Sequence, residues 1–192
     1  MSYTQDGITY SYTVGSLNTG SVTGCNTSVT NASILSTFTT GGNTYNVTTI
    51  GTAAFKSKTN LASVSVPNSV TSIGTEAFMR CFGLSSISLS NSVTTIGNSA
   101  FRECNALTST NFLNLVTTIG NDAFRNCSGL TTATLPNSVT SIGNNVFSDC
   151  YAHLLSATLP NSITSMGESV FSGCSLFTSV TLPNSITTIN TS

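Results

Sequence analysis

Charge is scarce in this 192-residue sequence, in which Asp, Glu, Lys and Arg together make up only 6%. An average globular chain carries about 25% charged residues. Five Lys/Arg and six Asp/Glu leave a net charge of −1. A protein groove that binds nucleic acid must neutralise several phosphates, and five Lys/Arg residues are too few for this. We therefore expect no nucleic-acid partner.

Long apolar runs are also missing. No run approaches the roughly 18 residues that a membrane-spanning helix needs, so we expect no membrane insertion. Residues Met1 to Ile8 lack the basic and apolar regions of a signal peptide. The mean hydropathy of +0.22 argues against intrinsic disorder, whose signature is low hydrophobicity.

What the sequence has in abundance is hydroxyl and amide side chains. Ser (32), Thr (34) and Asn (20) fill 86 of the 192 positions. The surface of the folded chain is therefore polar mainly through groups that carry no charge.

The sequence repeats with a period of 23 residues. Five cysteines fall at intervals of 23, 23, 23 and 24 residues: Cys81, Cys104, Cys127, Cys150 and Cys174. Ile-Gly pairs follow the same period, from Ile50-Gly51 to Ile142-Gly143, and Met166-Gly167 comes one residue late. Because a unit this short cannot bury its apolar side alone, neighbouring units must stack into a continuous core.

Each 23-residue unit is predicted to form one coil of such a stack. The segment Leu84-x-x-Ile87-x-Leu89 has the alternation of a short strand. A proline, which cannot donate to a strand ladder, follows this strand in four units: Pro67, Pro136, Pro160 and Pro183. The spacing of Ala-Phe-x-x-Cys predicts a single helical turn after the Ile-Gly pair.

The full pattern, Leu-x-x-Ile-x-Leu-Pro-x-x-Val-x-x-Ile-Gly-x-x-Ala-Phe-x-x-Cys, resembles the 23-residue leucine-rich repeat of the BspA type, found in bacterial and protozoan surface proteins. The resemblance covers residues 50–192 with about six repeats. Residues 1–49, in which Ile8, Tyr10 and Tyr12 alternate, resemble the β-hairpin cap that often precedes such repeats. The resemblance implies a single domain with an α/β repeat fold that is mainly β. Such a domain forms a right-handed solenoid with short parallel strands and short helical or 3₁₀ turns.

Two departures from the pattern stand out. Leu113 and Leu115 replace the usual Pro and Ser, and we expect them to expose apolar surface. The sequence ends after the Ile186 to Ile189 element, before another Gly-x-x-Ala-Phe, so the last coil is expected to be uncapped. Either a truncated chain or end-to-end stacking explains that end.

The cysteines are predicted to be structural. Stacked in successive coils, their Cβ vectors run parallel, whereas a disulfide needs them turned toward each other. No Cys-x-x-Cys occurs, so we expect no metal site, and the sequence suggests no cofactor. Cys25 has no evident partner, and the column as a whole is interpreted as buried free thiols.

Catalysis is not expected. A nucleophilic triad would have to use His153, the sole histidine, which falls in a predicted rim loop. Glu76 and Asp122 lie two coils apart, roughly 10 Å, which is near the spacing of about 6.5–9.5 Å of an inverting glycosidase. Both residues directly precede the Ala-Phe pair of their unit, however, and an acidic side chain there suits the first turn of a short helix.

The outward strand side chains are the candidate binding site. Eleven of these twelve residues carry hydroxyls, and none is charged or aromatic: Ser63, Ser65, Ser86, Ser88, Ser109, Asn111, Thr132, Thr134, Ser156, Thr158, Ser179 and Thr181. Three interpretations stay open. The hydroxyls bond to one another across strands as an inert spacer surface; they bind a polymer or another copy of the chain; or they bind ice, since Thr-x-Thr arrays are similar to those of antifreeze proteins.

Two other surface features are predicted to be passive. Hydroxyl pairs such as Thr71/Ser72 recur before each Ile-Gly and are expected to serve backbone groups. Lys56, Arg102 and Arg125 share one repeat position and form a thin basic stripe that favours solubility. Exposed ion pairs of Arg80 and Arg102–Glu103 are the alternative, each worth little.

The resemblance implies a non-catalytic module, on a cell surface or extracellular, that binds protein, matrix or a host surface. Since a fold does not fix a function, a self-assembling structural surface protein is the alternative. Ice or polysaccharide binding is a minor one. The expected partner is a protein or an extracellular polymer, including copies of the chain itself.

Overall fold

The structure, a computed structural model, describes residues 1–13, 18–111 and 115–186. These residues form about seven turns of a mainly-β solenoid, with an N-terminal part followed by repeat coils. The repeat coils are numbered 1 to 6 and begin at Gly51, Gly74, Gly97, Gly120, Gly143 and Gly167, and the described part of coil 6 ends at Ile186. The N-terminal strands are β1 (Ser2–Gln5), β2 (Ile8–Tyr12), β3 (Thr19–Cys25), β4 (Asn31–Ser33), β5 (Thr37–Thr40) and β6 (Asn43–Ile50).

The N-terminal part contains the β-hairpins that the sequence predicts. β1 pairs with β2, β2 with β3 and β5 with β6, all antiparallel, and β3 pairs with β6 in parallel. Ile8 and Tyr10 of β2 are buried, as the alternation requires. Five aromatic rings pack between these strands: Tyr3, Tyr10, Tyr12, Phe38 and Tyr45.

One side of the solenoid is a continuous sheet. Its repeat strands have two residues each: β8 (Ser72–Ile73), β10 (Thr95–Ile96), β11 (Thr118–Ile119), β13 (Ser141–Ile142) and β15 (Ser165–Met166). The strand order is β1-β2-β3-β6-β8-β10-β11-β13-β15, with neighbouring isoleucines in register from Ile50 to Ile142. Equivalent side chains therefore stack coil on coil, as the repeat predicts.

A second side carries three-residue parallel strands where the Leu-x-x-Ile-x-Leu pattern predicts them. These are β7 (Ser63–Ser65), β9 (Ser86–Ser88), β12 (Thr132–Thr134), β14 (Ser156–Thr158) and β16 (Ser179–Thr181). They form two separate sheets, β4-β7-β9 and β12-β14-β16. The separation falls at coil 3, where residues 108–111 make no strand.

The predicted helical or 3₁₀ turn is wrong, since the described residues contain no helix. In coil 2, Glu76 and Arg80 have positive φ values of 55° and 61°, which a right-handed helix does not allow. The stretch is a run of β-turns in which every second N–H leaves the coil. Phe78 N, for example, donates to the carbonyl of Ala100 in coil 3. Glu76 and Asp122 therefore sit at left-handed turn positions and not in the first turn of a helix.

The core is built from columns of identical side chains. Phe55, Phe78, Phe101, Phe124, Phe147 and Phe171 stack with ring centroids 5.0–5.7 Å apart and planes within 4–11° of parallel. The glycine at the first position of each coil allows this close stacking. A Cβ on Gly120 would lie 2.7 Å from the backbone N of Asn98 in the preceding coil.

Candidate functional site

The strand face consists of the outward side chains of β4, β7, β9, β12, β14 and β16. Ten of the twelve predicted residues lie in these strands, in register: Ser63 with Ser86, Ser65 with Ser88, Thr132 with Ser156 and Ser179, and Thr134 with Thr158 and Thr181. All ten are exposed or half-buried. The residue between each pair is buried in β7, β9, β12 and β14, whereas Val180 of β16 is exposed. Ser109 and Asn111 lie on the same side of the solenoid but outside any strand.

Sequence reasoning missed two members of the strand face, Asn31 and Ser33 of β4. β4 pairs in parallel with β7, and the Ser63 Oγ donates to the Asn31 Oδ1 at 2.6 Å. A signal was present in the sequence. Residues 30–34 read Thr-Asn-Ala-Ser-Ile, with the same polar-apolar alternation as Ala-Ser-Val-Ser-Val at 62–66.

Most hydroxyls of the strand face are free. Among the described residues, Ser63 is the only strand-face hydroxyl with a side-chain hydrogen bond. An open groove of about 320 Å³ runs over β4, β7 and β9, with Ala32 and Val64 among its lining residues. Six polar side chains line it: Asn31, Ser33, Ser63, Ser65, Ser86 and Ser88. Donors and acceptors are therefore presented to solvent in a fixed array.

In the other hydroxyl row, the first member of each described pair bonds to the backbone, as expected. The second members of these described pairs do not: Ser72, for example, donates to the Thr49 Oγ1 at 3.4 Å. The hydroxyls of Thr71, Thr94, Thr117, Thr140 and Thr164 each donate to a carbonyl of the preceding coil at 3.1–3.5 Å. The last pair of this row, Thr187 and Thr188, lies outside the described residues. The position of a hydroxyl in the coil therefore decides whether it bonds to the backbone, as these threonines do, or stays free, as most strand-face hydroxyls do.

Coil 3 interrupts the strand face. Thr110 takes the inward position that Val64 and Ile87 occupy in β7 and β9, and it is fully buried. Its Oγ1 donates to the Thr134 carbonyl at 2.8 Å. A cleft of about 320 Å³ opens beside it, between β9 and residues 107–111. Leu115 is 48% exposed, as expected, whereas Leu113 lies outside the described residues.

The repeat cysteines are buried, except for Cys174, which is half-buried. All six cysteines are free thiols. The Sγ of each repeat cysteine donates to the phenylalanine carbonyl of the preceding coil at 3.0–3.4 Å: Cys81, Cys104, Cys127, Cys150 and Cys174. Burial raises the pKa of Cys81 and Cys150 to about 12. These thiols lack the lowered pKa of a reactive cysteine.

The residues considered for catalysis do not converge. His153 is exposed, and its Nδ1 lies 2.9 Å from the Ser128 carbonyl oxygen. Glu76 pairs with Lys56 at 2.7 Å and Asp122 with Arg125 at 3.3 Å. Within the described ranges, no group of three His, Cys, Asp or Glu side chains is arranged to hold a metal ion.

The basic stripe is part of a set of ion pairs between adjacent coils. Lys56 pairs with Glu76 at 2.7 Å, Arg80 with Glu103 at 3.2 Å and Arg125 with Asp149 at 2.9 Å. Arg102 also lies 3.3 Å from Glu103. The cationic side chains are 34–50% exposed, so each pair contributes little to stability.

The family model of the BspA-type leucine-rich repeat region matches residues 26–153 and 107–192, with six copies. This chain belongs to the BspA-type leucine-rich repeat family. No curated protein matches it. Among the described residues, the structure has no helix of the length and apolar character that crossing a membrane requires.

Solved structures place this BspA-type chain among bacterial repeat proteins. It is similar to a leucine-rich cell surface protein from Faecalibacterium prausnitzii, with 28% identity and a TM-score of 0.75 over 94% of this chain. That protein is longer, and this chain spans 54% of it. It is also similar to a leucine-rich repeat protein from T. pallidum, with 27% identity and a TM-score of 0.76, covering 93% of this chain and 91% of that one. The pneumococcal vaccine antigen PcpA shares the fold, at 20% identity and a TM-score of 0.54 over 94% of this chain and 48% of that one.

Proposed function

We propose that this chain is a non-catalytic binding module, displayed on a cell surface or secreted, that holds a protein or extracellular polymer against its strand face. Family membership and the similar cell surface protein of F. prausnitzii support the location. The observation that carries the proposal is the array of free hydroxyls. An inert spacer would bond its hydroxyls across strands, but only Ser63 does so among the described residues.

The array suits an extended ligand. Neighbouring strands are about 4.8 Å apart, and outward residues of one strand are separated by about 6.7 Å. Because each free hydroxyl already bonds to water, exchanging that bond for one to a ligand contributes only about 0.5–1.5 kcal/mol. Useful affinity therefore requires many contacts along the face, which a polymer or a long protein segment provides.

The test compares charged substitutions on two faces. Thr134→Lys with Thr158→Lys, and separately Ser65→Lys with Ser88→Lys, place cations on the strand face. Thr95→Lys with Thr118→Lys is the matched control on the continuous sheet, where both threonines are exposed. Each protein is passed over immobilised matrix proteins and polysaccharides. We expect the strand-face variants to lose about tenfold or more in affinity while the control binds as the parent does.

Equal losses in all three variants, or none in any, contradict the proposal. Thermal unfolding of each variant shows whether the fold is intact before binding is compared. The interruption at residues 109–111 leaves three regular strands on either side, which disfavours the ice-binding alternative.

A self-assembling surface protein is the second candidate. Leu176, Val180 and Leu182 of coil 6 are 38–48% exposed, whereas Ala157 and Leu159 of coil 5 are 3–4% exposed. Among the described residues, β16 is an edge strand of the sheet β12-β14-β16, and an edge strand with exposed apolar side chains favours pairing with another chain. Light scattering over a concentration series tests this: mass should rise with concentration, and Val180→Lys with Leu182→Lys should suppress the rise. A constant monomer mass excludes it.

A further inference from the structure

We infer that the cleft at coil 3 is a saccharide subsite that binds one neutral sugar residue of a glycan. The inference rests on the proposed function, because it specifies which polymer the strand face holds. It concerns the opening between β9 and residues 107–111, which separates the two three-stranded sheets.

The cleft exposes backbone groups that are paired in the other coils. In the register of β7 and β9, Ser86 and Ser88 bond toward β7, so the N–H and C=O of Ile87 point toward coil 3. Thr131 N donates to the Thr108 carbonyl between coils 3 and 4. In the described part of the chain, no corresponding bond joins Thr108 to Ser85. Unpaired donors and acceptors thus line one wall.

The side chains in the cleft are polar and uncharged. The hydroxyls of Ser86, Thr108 and Ser109 and the amide of Asn111 line the cleft, and the largely buried Ile87 and Leu107 add a small apolar area. A sugar ring matches this chemistry, because its hydroxyls both donate and accept while its C–H groups contact an apolar surface. An ionic ligand fits poorly, since no charged described residue in the cleft would compensate its desolvation.

Size and position agree with a single anchored residue. The volume of about 320 Å³ lies at the small end of ligand pockets, which span roughly 300–1,000 Å³. A glycan with one residue in the cleft extends over β9 on one side and β12 on the other. A uniform hydroxyl array would let such a chain slide by one coil, and the cleft removes that ambiguity by fixing the register.

The experiment measures binding by isothermal titration calorimetry. The probes are neutral hexasaccharides of glucose, mannose, galactose and N-acetylglucosamine, a hexuronate oligomer as acidic comparison, and an uncharged Ser/Asn-rich peptide. Ser109→Leu fills the cleft and Asn111→Ala removes its amide. Thr95→Leu and Thr118→Ala are the matched controls, because both threonines are exposed on the continuous sheet and lie outside the strand face.

We expect at least one neutral hexasaccharide to bind at a ratio of 1:1. Asn111→Ala should raise its Kd by about 2- to 10-fold, the equivalent of one hydrogen bond. Ser109→Leu should raise it further, and the controls should change it less than about twofold. Should Ser109→Leu fail to fold, Asn111→Ala decides, because Asn111 is exposed.

Other results overturn the inference: binding of no neutral hexasaccharide, tighter binding of the hexuronate or the peptide, or equal effects of cleft and control substitutions. If the lysine variants of the strand face weaken capture while the cleft variants do not, the saccharide subsite is wrong and the proposed function stands. If neither set has an effect, both fail.

Discussion

At the scale of the residue, the repeat cysteine does two things with one small side chain. It fills a buried position, and its thiol hydrogen-bonds to the neighbouring coil. The Phe78 carbonyl accepts two bonds, from the Cys81 N–H of its own coil and from the Cys104 Sγ of the next, both at 3.1 Å. An acceptor buried against the next coil is thereby satisfied on both sides. Alanine fills the position without that bond, which gives a physical reason for cysteine there.

The thiol column should make the protein less stable at alkaline pH. Burial raises the pKa of Cys104 and Cys127 well above the ordinary thiol value, and that of Cys81 and Cys150 to about 12. Unfolded thiols ionise near pH 8.5, so the unfolded state is favoured as the pH rises from there toward the folded pKa. The free energy of unfolding should fall by up to about 1.4 kcal/mol per pH unit for each buried thiol.

Urea unfolding at pH 7, 9 and 10.5 checks this prediction. Below about pH 8 the thiol contribution should be constant, because both states are protonated. Cys104→Ala should reduce the alkaline slope by one thiol's share. An unchanged slope in that variant would show that the loss of stability comes from other groups.

Left-handed turn residues are a second feature at this scale. Among the described residues, each repeat coil has two at positive φ, and of these twelve only Gly173 is a glycine. Ser99, at a φ of 54°, carries a side chain where glycine is favoured. Ser99→Gly should raise the free energy of unfolding by about 0.5–1 kcal/mol, because the relief of strain exceeds the added entropy of the unfolded chain.

The neighbouring Ala100 provides the control for that substitution. It is fully buried and has no positive φ. Ala100→Gly should lower stability, because it removes a packed methyl group and adds backbone freedom. If these two glycine substitutions, one residue apart, change the free energy of unfolding in opposite directions, the backbone effect is isolated. Urea unfolding measures both changes. Destabilisation by both substitutions would contradict the backbone effect.

At the scale of the element, the phenylalanine column joins the coils more strongly than the ion pairs do. Phe124 lies between Phe101 and Phe147, with centroids 5.3 and 5.6 Å away, and it is fully buried. The ion pair between coils 4 and 5, Arg125 with Asp149, is partly exposed and contributes at most about 1 kcal/mol. Stacked, buried rings therefore dominate the contact between coils.

Phe124→Ala should lower the free energy of unfolding by about 3–5 kcal/mol, since it opens a cavity within the column. Phe82→Ala is the matched control, because Phe82 is 43% exposed on the rim, and its effect should stay within about 0.5 kcal/mol. Thermal and urea unfolding measure both. Similar losses for the two variants would show that the column is not the main contact.

At the scale of the whole molecule, the spacing between coils depends on glycines that follow the isoleucine strand. Their backbones approach the preceding coil so closely that a methyl group has no room. Gly120 is such a position: a Cβ added there would lie 2.7 Å from the Asn98 backbone N and 2.8 Å from the Gly97 carbonyl carbon. The Asn98 side-chain Oδ1 would lie nearer still, at 2.5 Å. A side chain can move away, but the two backbone atoms cannot, so the coils must separate to accept the methyl group.

Gly120→Ala should therefore destabilise the whole solenoid by about 2–3 kcal/mol, the usual range for overpacking. Gly24→Ala is the control. The nearest atom to its Cβ would be the Thr9 Cβ at 3.7 Å, an ordinary contact, and φ there is not positive. The Gly24→Ala variant should be as stable as the parent protein. The midpoint of urea unfolding reports both, and loss of stability at both positions would refute the steric explanation.

Several features were readable from the sequence because they repeat locally. The period of the cysteines, the strand pattern around Ile87 and the inward place of the phenylalanines each depend on side-chain type and spacing within one unit. The burial of the cysteine column follows from the same register. The strand positions of the candidate site were readable in part, since ten of the twelve predicted residues lie in the strands of the strand face. Their role in binding stays a prediction.

The sequence by itself determined that 23-residue units stack and which side chains face inward, because alternation and period are properties of the chain alone. The tertiary structure decided where the backbone hydrogen bonds go. The N–H of Phe78 bonds to Ala100 in the next coil, and not within a helix, because a carbonyl lies within reach only once the coils have stacked. The same holds for the cleft at coil 3. One buried hydroxyl, that of Thr110, bonds to a neighbouring coil, and pairing with β9 is absent on its other side.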